Sequence, residues 1–155
     1  MTHKILFLPN QQLAQDILSP SAREMLLALG EVDWNDSERN LTPDEIKQRL
    51  PGVDAVVTSW GSPAFDADLL AAADRLAIIG HAAGSVKNLA PKEVFDRGIV
   101  VLSGAAVIAD SVAEYTLWAM LNGQRDLYRY GPIMKEQRGW STPGQSYGHE
   151  LYYKR

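Results

Sequence analysis

Along this chain, short apolar runs alternate with segments of helical spacing. Lys4-Ile-Leu-Phe-Leu8 is an apolar run stopped by Pro9-Asn10, and it predicts a first strand buried on both faces. Ser19-Pro20 supplies an N-cap followed by proline at the first helical position. Ala22, Met25, Leu26 and Leu29 then repeat at helical spacing, and Gly30 closes the helix. Glu31-Val-Asp-Trp34 is a less apolar second strand. Thr42-Pro43-Asp-Glu45 has capping-box spacing and opens a short helix that ends by Pro51. Asp54-Ala-Val-Val-Thr-Ser59 predicts a third strand and Trp60-Gly61-Ser62-Pro63 a turn. Phe65, Leu69, Leu70, Ala73 and Leu76 give an amphipathic helix that Asp66 and Asp68 open. Leu76-Ala-Ile-Ile79 is a fourth strand, Pro91 to Arg97 a short helix closed by Gly98, and Ile99-Val-Val-Leu102 a fifth strand. Strands alternating with helices predict a parallel sheet with helices on both faces. Five such units imply a flavodoxin-like, doubly wound α/β fold with strand order 2-1-3-4-5. The loops at Pro9-Asn10, Ser59 to Gly61, Ala82 to Val86 and Ser103 to Asp110 then converge on the carboxyl rim, where open sheets of this kind bind ligands.

The chain's most apolar helical stretch follows the fifth strand. Ser111 and Glu114 have capping-box spacing, so the long helix is expected to open there, with Ser103 to Ala109 as its linker. From Val112 to Leu121 the apolar side chains point all round the helix. Such a helix is expected to be buried on every side, between two packed bodies. After Arg125 the pattern changes: Gly131-Pro132 interrupts, and Gly139 to Gly148 reads as loop. The expected division is a flavodoxin-like domain over 1–109 that binds the ligand, a long interdomain or dimer helix over 110–130, and a linker or tail over 131–155. A tail of that kind either wraps a neighbour or marks a cut at a domain boundary.

At 155 residues the chain is long enough for one domain with a substantial core. Its 46% apolar and 22% charged content is ordinary for a globular protein. A net charge of −4 without any basic run argues against nucleic-acid and anionic-membrane binding. The absence of cysteine excludes disulfides and thiolate metal sites and fits a cytoplasmic protein. Ile5 to Leu8 is too short for a signal-peptide core or a membrane span.

Candidate chemistry centres on Gly80-His-Ala-Ala-Gly-Ser-Val-Lys87. A P-loop needs Lys directly after its last glycine, and here Ser85 stands there. A turn that binds a carboxylate through backbone amides around Ala83, Gly84 and Ser85 is open, as is a purely structural tight turn. No two glycines stand two apart, so the chain contains no Gly-x-Gly-x-x-Gly dinucleotide loop. His3, His81 and His149 lie far apart and lack any paired-ligand context, so no metal site is expected. His81 either donates to a substrate or is a satisfied rim residue. Asp110, Ser111 and Glu114 suggest acid–base chemistry less well than capping. Trp60 lines a pocket or covers the core edge, and Trp118 and Met120 read as packing or interface residues.

The run from Asp54 to Arg125 resembles the D-isomer-specific 2-hydroxyacid dehydrogenases. Ala55 to Trp60 looks like the strand and turn before that family's substrate pocket. Leu76 to Leu89 looks like its next strand and glycine-rich turn, Arg97 to Val101 like the strand after that, and Ser111-Val-Ala-Glu114 with Arg125 like its interdomain helix. Gly139-Trp140, Gly148-His-Glu-Leu151 and Lys154 resemble the approach to its nucleotide-binding domain. Ser85, Lys87, Ile108 and Tyr153 depart from the usual Gly, Asp, Asn and Gly, which points to a divergent branch. The resemblance implies that the amides of Gly84, Ser85 and Val86 hold a substrate carboxylate, with Trp60, Gly61 and Ala83 in the same binding set. It implies that Ser111 approaches the nicotinamide of NAD or NADP. No residue here matches the family's catalytic Arg, Glu and His, which follow this region together with the Gly-x-Gly-x-x-Gly loop and a final helix that returns to the substrate domain.

The expectation is therefore the substrate-binding half of an NAD(P)-dependent D-2-hydroxyacid dehydrogenase, acting on a small 2-hydroxy or 2-oxo acid and showing little turnover alone. No cofactor is expected to bind this chain tightly by itself. The alternative is a stand-alone flavodoxin-like binding module that forms a homodimer through helix 110–130. Pro9-Asn10 and Ser59-Trp60 rule out a phosphoreceiver, and Asn10-Gln-Gln-Leu13 rules out a flavodoxin phosphate loop. The DNA downstream of Arg155 would distinguish the two readings.

Overall fold

The computed structural model describes residues 2–139. The expected loop over 140–155, with Trp140, His149 and the Gly148–Leu151 motif, lies outside them. The described chain divides into two compact units between Ile108 and Ala109.

The first unit holds a five-stranded, wholly parallel sheet in the order β2-β1-β3-β4-β5. The strands are β1 (His3–Phe7), β2 (Gly30–Trp34), β3 (Ala55–Thr58), β4 (Ile78–His81) and β5 (Val100–Ser103). Its helices are α1 (Gln11–Ile17), α2 (Pro20–Leu29), α3 (Pro43–Arg49), α4 (Ala67–Ala72) and α5 (Lys92–Asp96). The caps read from sequence are present. Thr42 and Glu45 form a capping box on α3. The Asp66 carboxylate accepts from the Asp68 and Leu69 amides at the start of α4. The Glu45 carboxylate is also gripped by Arg39, at 2.6 and 2.8 Å. That guanidinium, followed by the Thr42 amide, holds its pKa at about 2. α1 was not expected: Asn10 does not merely end the first strand, because its side chain accepts from the Leu13 amide and nucleates the helix. α4 is shorter than predicted, with Phe65 before its cap and Leu76 beyond its end.

The two faces of the sheet are unequally covered. Leu6, Val56 and Ile79 share one face by register, and they are fully buried against Ile46, Leu50, Phe65, Leu70 and Val94. On the opposite face, Phe7 stacks at 4.7 Å on Trp34, over which the Arg23 guanidinium of α2 lies at 4.0 Å. Further across that face, Ile78, Val100 and Leu102 are 42%, 52% and 58% exposed. The expectation of helices on both faces therefore holds in full on one side only among the described residues.

The amino edge of the sheet is pinned by Asp54. Its carboxylate accepts from the Lys4 amide at 2.9 Å and from Arg75 at 2.6 Å, and both bonds keep its pKa below the usual range. Its carbonyl accepts from Ala77, which fixes the entry to β4. The carboxyl edge is left to the loops.

The helix after β5 corrects the prediction at both ends. α6 (Ala105–Arg125) begins six residues before Ser111, so the predicted 103–109 linker is largely helical. Ser111 and Glu114 sit inside the helix and make no capping hydrogen bond. Ala105-Ala-Val-Ile-Ala contains no breaker, so the helix nucleates directly at Gly104, whose carbonyl accepts from the Ile108 amide at 3.0 Å. In the second unit, Asp126 adopts φ 49° and separates α6 from α7 (Leu127–Gln137). α7 runs through Gly131-Pro132, where the sequence predicted an interruption and linker. Strong helix formers from Ile133 to Gln137 carry it past the proline. The apolar residues of α6 are open: Val112, Tyr115, Leu117, Trp118, Met120 and Leu121 are 47–67% exposed. The expectation of burial on every side is not met by this chain alone.

Candidate functional site

Because all five strands are parallel, Thr58, His81 and Ser103 lie in register at one edge. The loops that follow them are tied together. The Ala82 amide donates to Thr58 O at 2.8 Å, and the buried Ser59 hydroxyl donates to Ala82 O at 3.0 Å. The Gly104 amide donates to both His81 O and Ala83 O, each at 3.0 Å. Three post-strand loops are thus held together by four bonds.

The β3 loop turns at Ser59-Trp60-Gly61-Ser62. The Ser62 amide donates to Ser59 O, and the Ser62 hydroxyl accepts from the Ser59 amide, both at 3.2 Å. Gly61 has φ 79°, which suits glycine at the third position of a type II turn. A side chain there would also run into Asn40. Trp60 occupies the turn's second position and is 59% exposed, so it is not the cover of a core edge.

The β4 loop carries the chief feature. The amides of Ala83, Gly84, Ser85 and Val86 are bonded to no acceptor among the described residues. Before the run the Ala82 amide is spent on Thr58 O; after it the Lys87 amide has only a 3.5 Å contact to the Ser85 hydroxyl, the Asn88 amide is also unbonded among the described residues, and the Leu89 and Ala90 amides donate to Val86 O. Four consecutive unspent N–H groups carry partial positive charge suited to an anion. Gly84 has open space where a Cβ would stand, so its backbone is approachable.

His81 borders this turn. It is 8% exposed, with Nδ1 at 2.9 Å from the Oγ1 of fully buried Thr58. The Thr58 hydroxyl has a longer alternative acceptor in Gly80 O, at 3.3 Å. With the Thr58 hydroxyl donating to Gly80 O, His81 Nδ1 donates to Thr58 Oγ1; in the other imidazole tautomer the hydroxyl turns to donate to Nδ1 instead, and both arrangements tie His81 to Thr58. Burial pushes the His81 pKa down, which favours the neutral ring. A depression of about 230 Å³ opens beside it, lined by Val57, Gly80, His81, Ala82, Leu102 and Ser103.

Of the residues singled out from sequence, Trp60, Gly61 and Ala83 to Val86 fall on neighbouring loops of this edge. Ser111 lies within α6, beyond the division at Ile108. Thr58 and Ser59 were not singled out. Two buried hydroxyl residues at the end of an apolar strand were the available signal. Among the described residues no cluster of His, Cys, Asp or Glu could hold a metal ion, and no helix is long and apolar enough to cross a membrane. In the β1 loop, Pro9 has no amide proton and the Asn10 side chain is spent on capping α1.

A parallel sheet with an anion-ready turn beyond β4 defines an α/β domain of the ligand-binding, open-sheet class. Residues 12–153 match the family described as D-isomer specific 2-hydroxyacid dehydrogenase, catalytic domain, and the chain belongs to that family. The D-3-phosphoglycerate dehydrogenase of Methanocaldococcus jannaschii is 29% identical over 142 residues, 92% of this chain and 26% of that one. Among solved structures, a Pyrococcus horikoshii protein superposes with a TM-score of 0.74 at 22% identity, over 98% of this chain and 44% of its own. A phosphoglycerate oxidoreductase from Rhizobium etli gives 0.64 at 24% identity, over 96% and 45%. This chain therefore spans about a quarter of the curated relative's length and under half of these two structures.

Proposed function

We infer that this chain is the substrate-binding part of an NAD(P)-dependent D-2-hydroxyacid dehydrogenase. The observation that carries the reading is the run of four unspent amides from Ala83 to Val86, at the carboxyl edge of a domain of this family. Under this reading the amides of Gly84, Ser85 and Val86 hold the acid's carboxylate, with His81 at the border of the site. Trp60 and Gly61 bound the site from the β3 loop.

Hydride exchange between a nicotinamide and C2 of the acid requires a dinucleotide site, which these residues do not form. In the family resemblance that site lies on a following domain, with Ser111 facing the nicotinamide. A helix returning from such a domain would cover Ile78, Val100 and Leu102, which stand bare on the sheet. The purified 155-residue chain is thus expected to show no NADH- or NADPH-dependent reduction of glyoxylate, pyruvate or hydroxypyruvate, while those acids shift the amide resonances of residues 83–86. Measurable turnover, or shifts elsewhere only, would contradict the reading.

A second reading rests on the exposed apolar residues of α6: a binding module that dimerises by pairing this helix across a two-fold axis and hides Trp118 and Met120. Sedimentation of the chain at micromolar concentration is expected to give a dimer under this reading. A monomer would remove it.

A further inference from the structure

A second cleft lies at the same edge of the sheet but at its opposite side, beyond β2. It has a volume of about 440 Å³, within the range of small-molecule sites. Its walls are α1, the start of α2 and the segment after Trp34. Only two charged side chains line it, Arg23 and Asp36, and neither has an ion-pair partner among the described residues. Arg23 is nonetheless held in place, because its guanidinium lies 4.0 Å from the centroid of Trp34, and Trp34 is itself stacked on buried Phe7. The ring restrains the guanidinium, whose N–H groups are bonded to no acceptor among the described residues and so are available to a carboxylate. The side-chain amides of Gln11 and Gln15 line the same cleft, and neither is hydrogen-bonded within the described chain.

One unpaired cation and one unpaired anion on the walls of a single small cleft select against ligands of one charge sign. A simple anion drawn to Arg23 meets Asp36, and a simple cation drawn to Asp36 meets Arg23. A zwitterion satisfies both. We propose that this cleft binds a free α-amino acid, with the carboxylate on Arg23, the ammonium on Asp36 and the side chain against Leu18 and the amides of α1. The site is separate from the turn at Ala83 to Val86 and does not depend on what that turn binds.

The test is an amide-resonance titration of the 155-residue chain with L-leucine and L-glutamine. The blocked derivatives N-acetyl-L-leucine and L-leucinamide serve as comparisons, each lacking one charge. At least one free amino acid is expected to give saturable shifts in residues 11–15 and 34–36, with a dissociation constant in about the millimolar range, as suits so few ligand atoms. Each blocked form should bind about tenfold more weakly, and so should the free amino acid to Arg23→Gln and to Asp36→Asn. Both side chains are exposed, so these variants should keep the wild-type spectrum elsewhere. Absence of saturation by either amino acid up to about 20 mM would overturn the proposal. Equal binding of a blocked form or by either variant would do the same. Shifts confined to residues 83–86 would move the binding to the other site and also overturn it.

Discussion

Phe65→Ala is expected to lower the unfolding free energy of the sheet-bearing unit by about 3–5 kcal/mol, the range for removing a fully buried aromatic ring. Phe65 has no exposed surface and lies in the core between α4 and the sheet. Its cost should fall in the upper part of that range, because the backbone at Phe65 and Asp66 is anchored. Asp66 beside it caps α4, and the Phe65 amide donates to Leu89 O at 2.8 Å. Anchored walls collapse little into a cavity. Phe95 is the internal control. It sits on α5 but is 53% exposed, so Phe95→Ala should change stability by less than about 1 kcal/mol. Urea unfolding followed by far-ultraviolet circular dichroism reads both. A shifted midpoint with unchanged slope for Phe65→Ala is the expected result. Equal effects at Phe65 and Phe95 would mean that the core is not built around the α4 face of the sheet.

The contrast between these two phenylalanines shows where sequence reading stops. Periodicity marks both as apolar positions, but only the crossing of α4 over the sheet decides which one is enclosed. Strand order was legible because the five apolar runs alternate with helices, and Thr42 and Asp66 were legible because capping chemistry is local. β4 was placed two residues early because Gly80 and His81 are poor strand formers. Their pairing with Val57 and Thr58 overrides that preference. α1 was missed because Gln11–Ile17 carries a weak apolar stripe, and its evidence is the single Asn10 cap. Ser111 misled for the converse reason. Its spacing to Glu114 satisfies a capping motif, but the alanine-rich segment before it already favours helix, and a motif cannot cap a helix that has started upstream. At the candidate site, the glycine spacing of residues 80–84 revealed the turn. The Thr58–His81 pair was hidden, because 23 positions separate the two residues and only sheet register brings them together.

The turn itself yields the second large effect. If amides rather than side chains hold the acid, removing one N–H should weaken binding strongly, while removing the neighbouring hydroxyl should not. Ser85→Pro deletes the amide proton, and Ser85→Ala keeps it. The Ser85 amide has no acceptor among the described residues, so no backbone bond within them is lost with it. The hydroxyl has only a long 3.5 Å contact from the Lys87 amide. A hydrogen bond to a charged acceptor contributes about 1.5–3 kcal/mol, which corresponds to roughly 10- to 150-fold in affinity. Titration with glyoxylate, read from the resonances of the remaining turn residues, should therefore show that loss for Ser85→Pro and a change within about twofold for Ser85→Ala. Gly84→Pro removes the preceding amide and gives an independent reading should ring closure at 85 distort the loop. Undiminished binding by a correctly folded proline variant would take the carboxylate away from the backbone. A large loss in Ser85→Ala would instead assign it to the hydroxyl. In the expected case specificity arises from chain geometry, and the departure from glycine at Ser85 is tolerated because the contact uses only the part of the residue that every amino acid except proline shares.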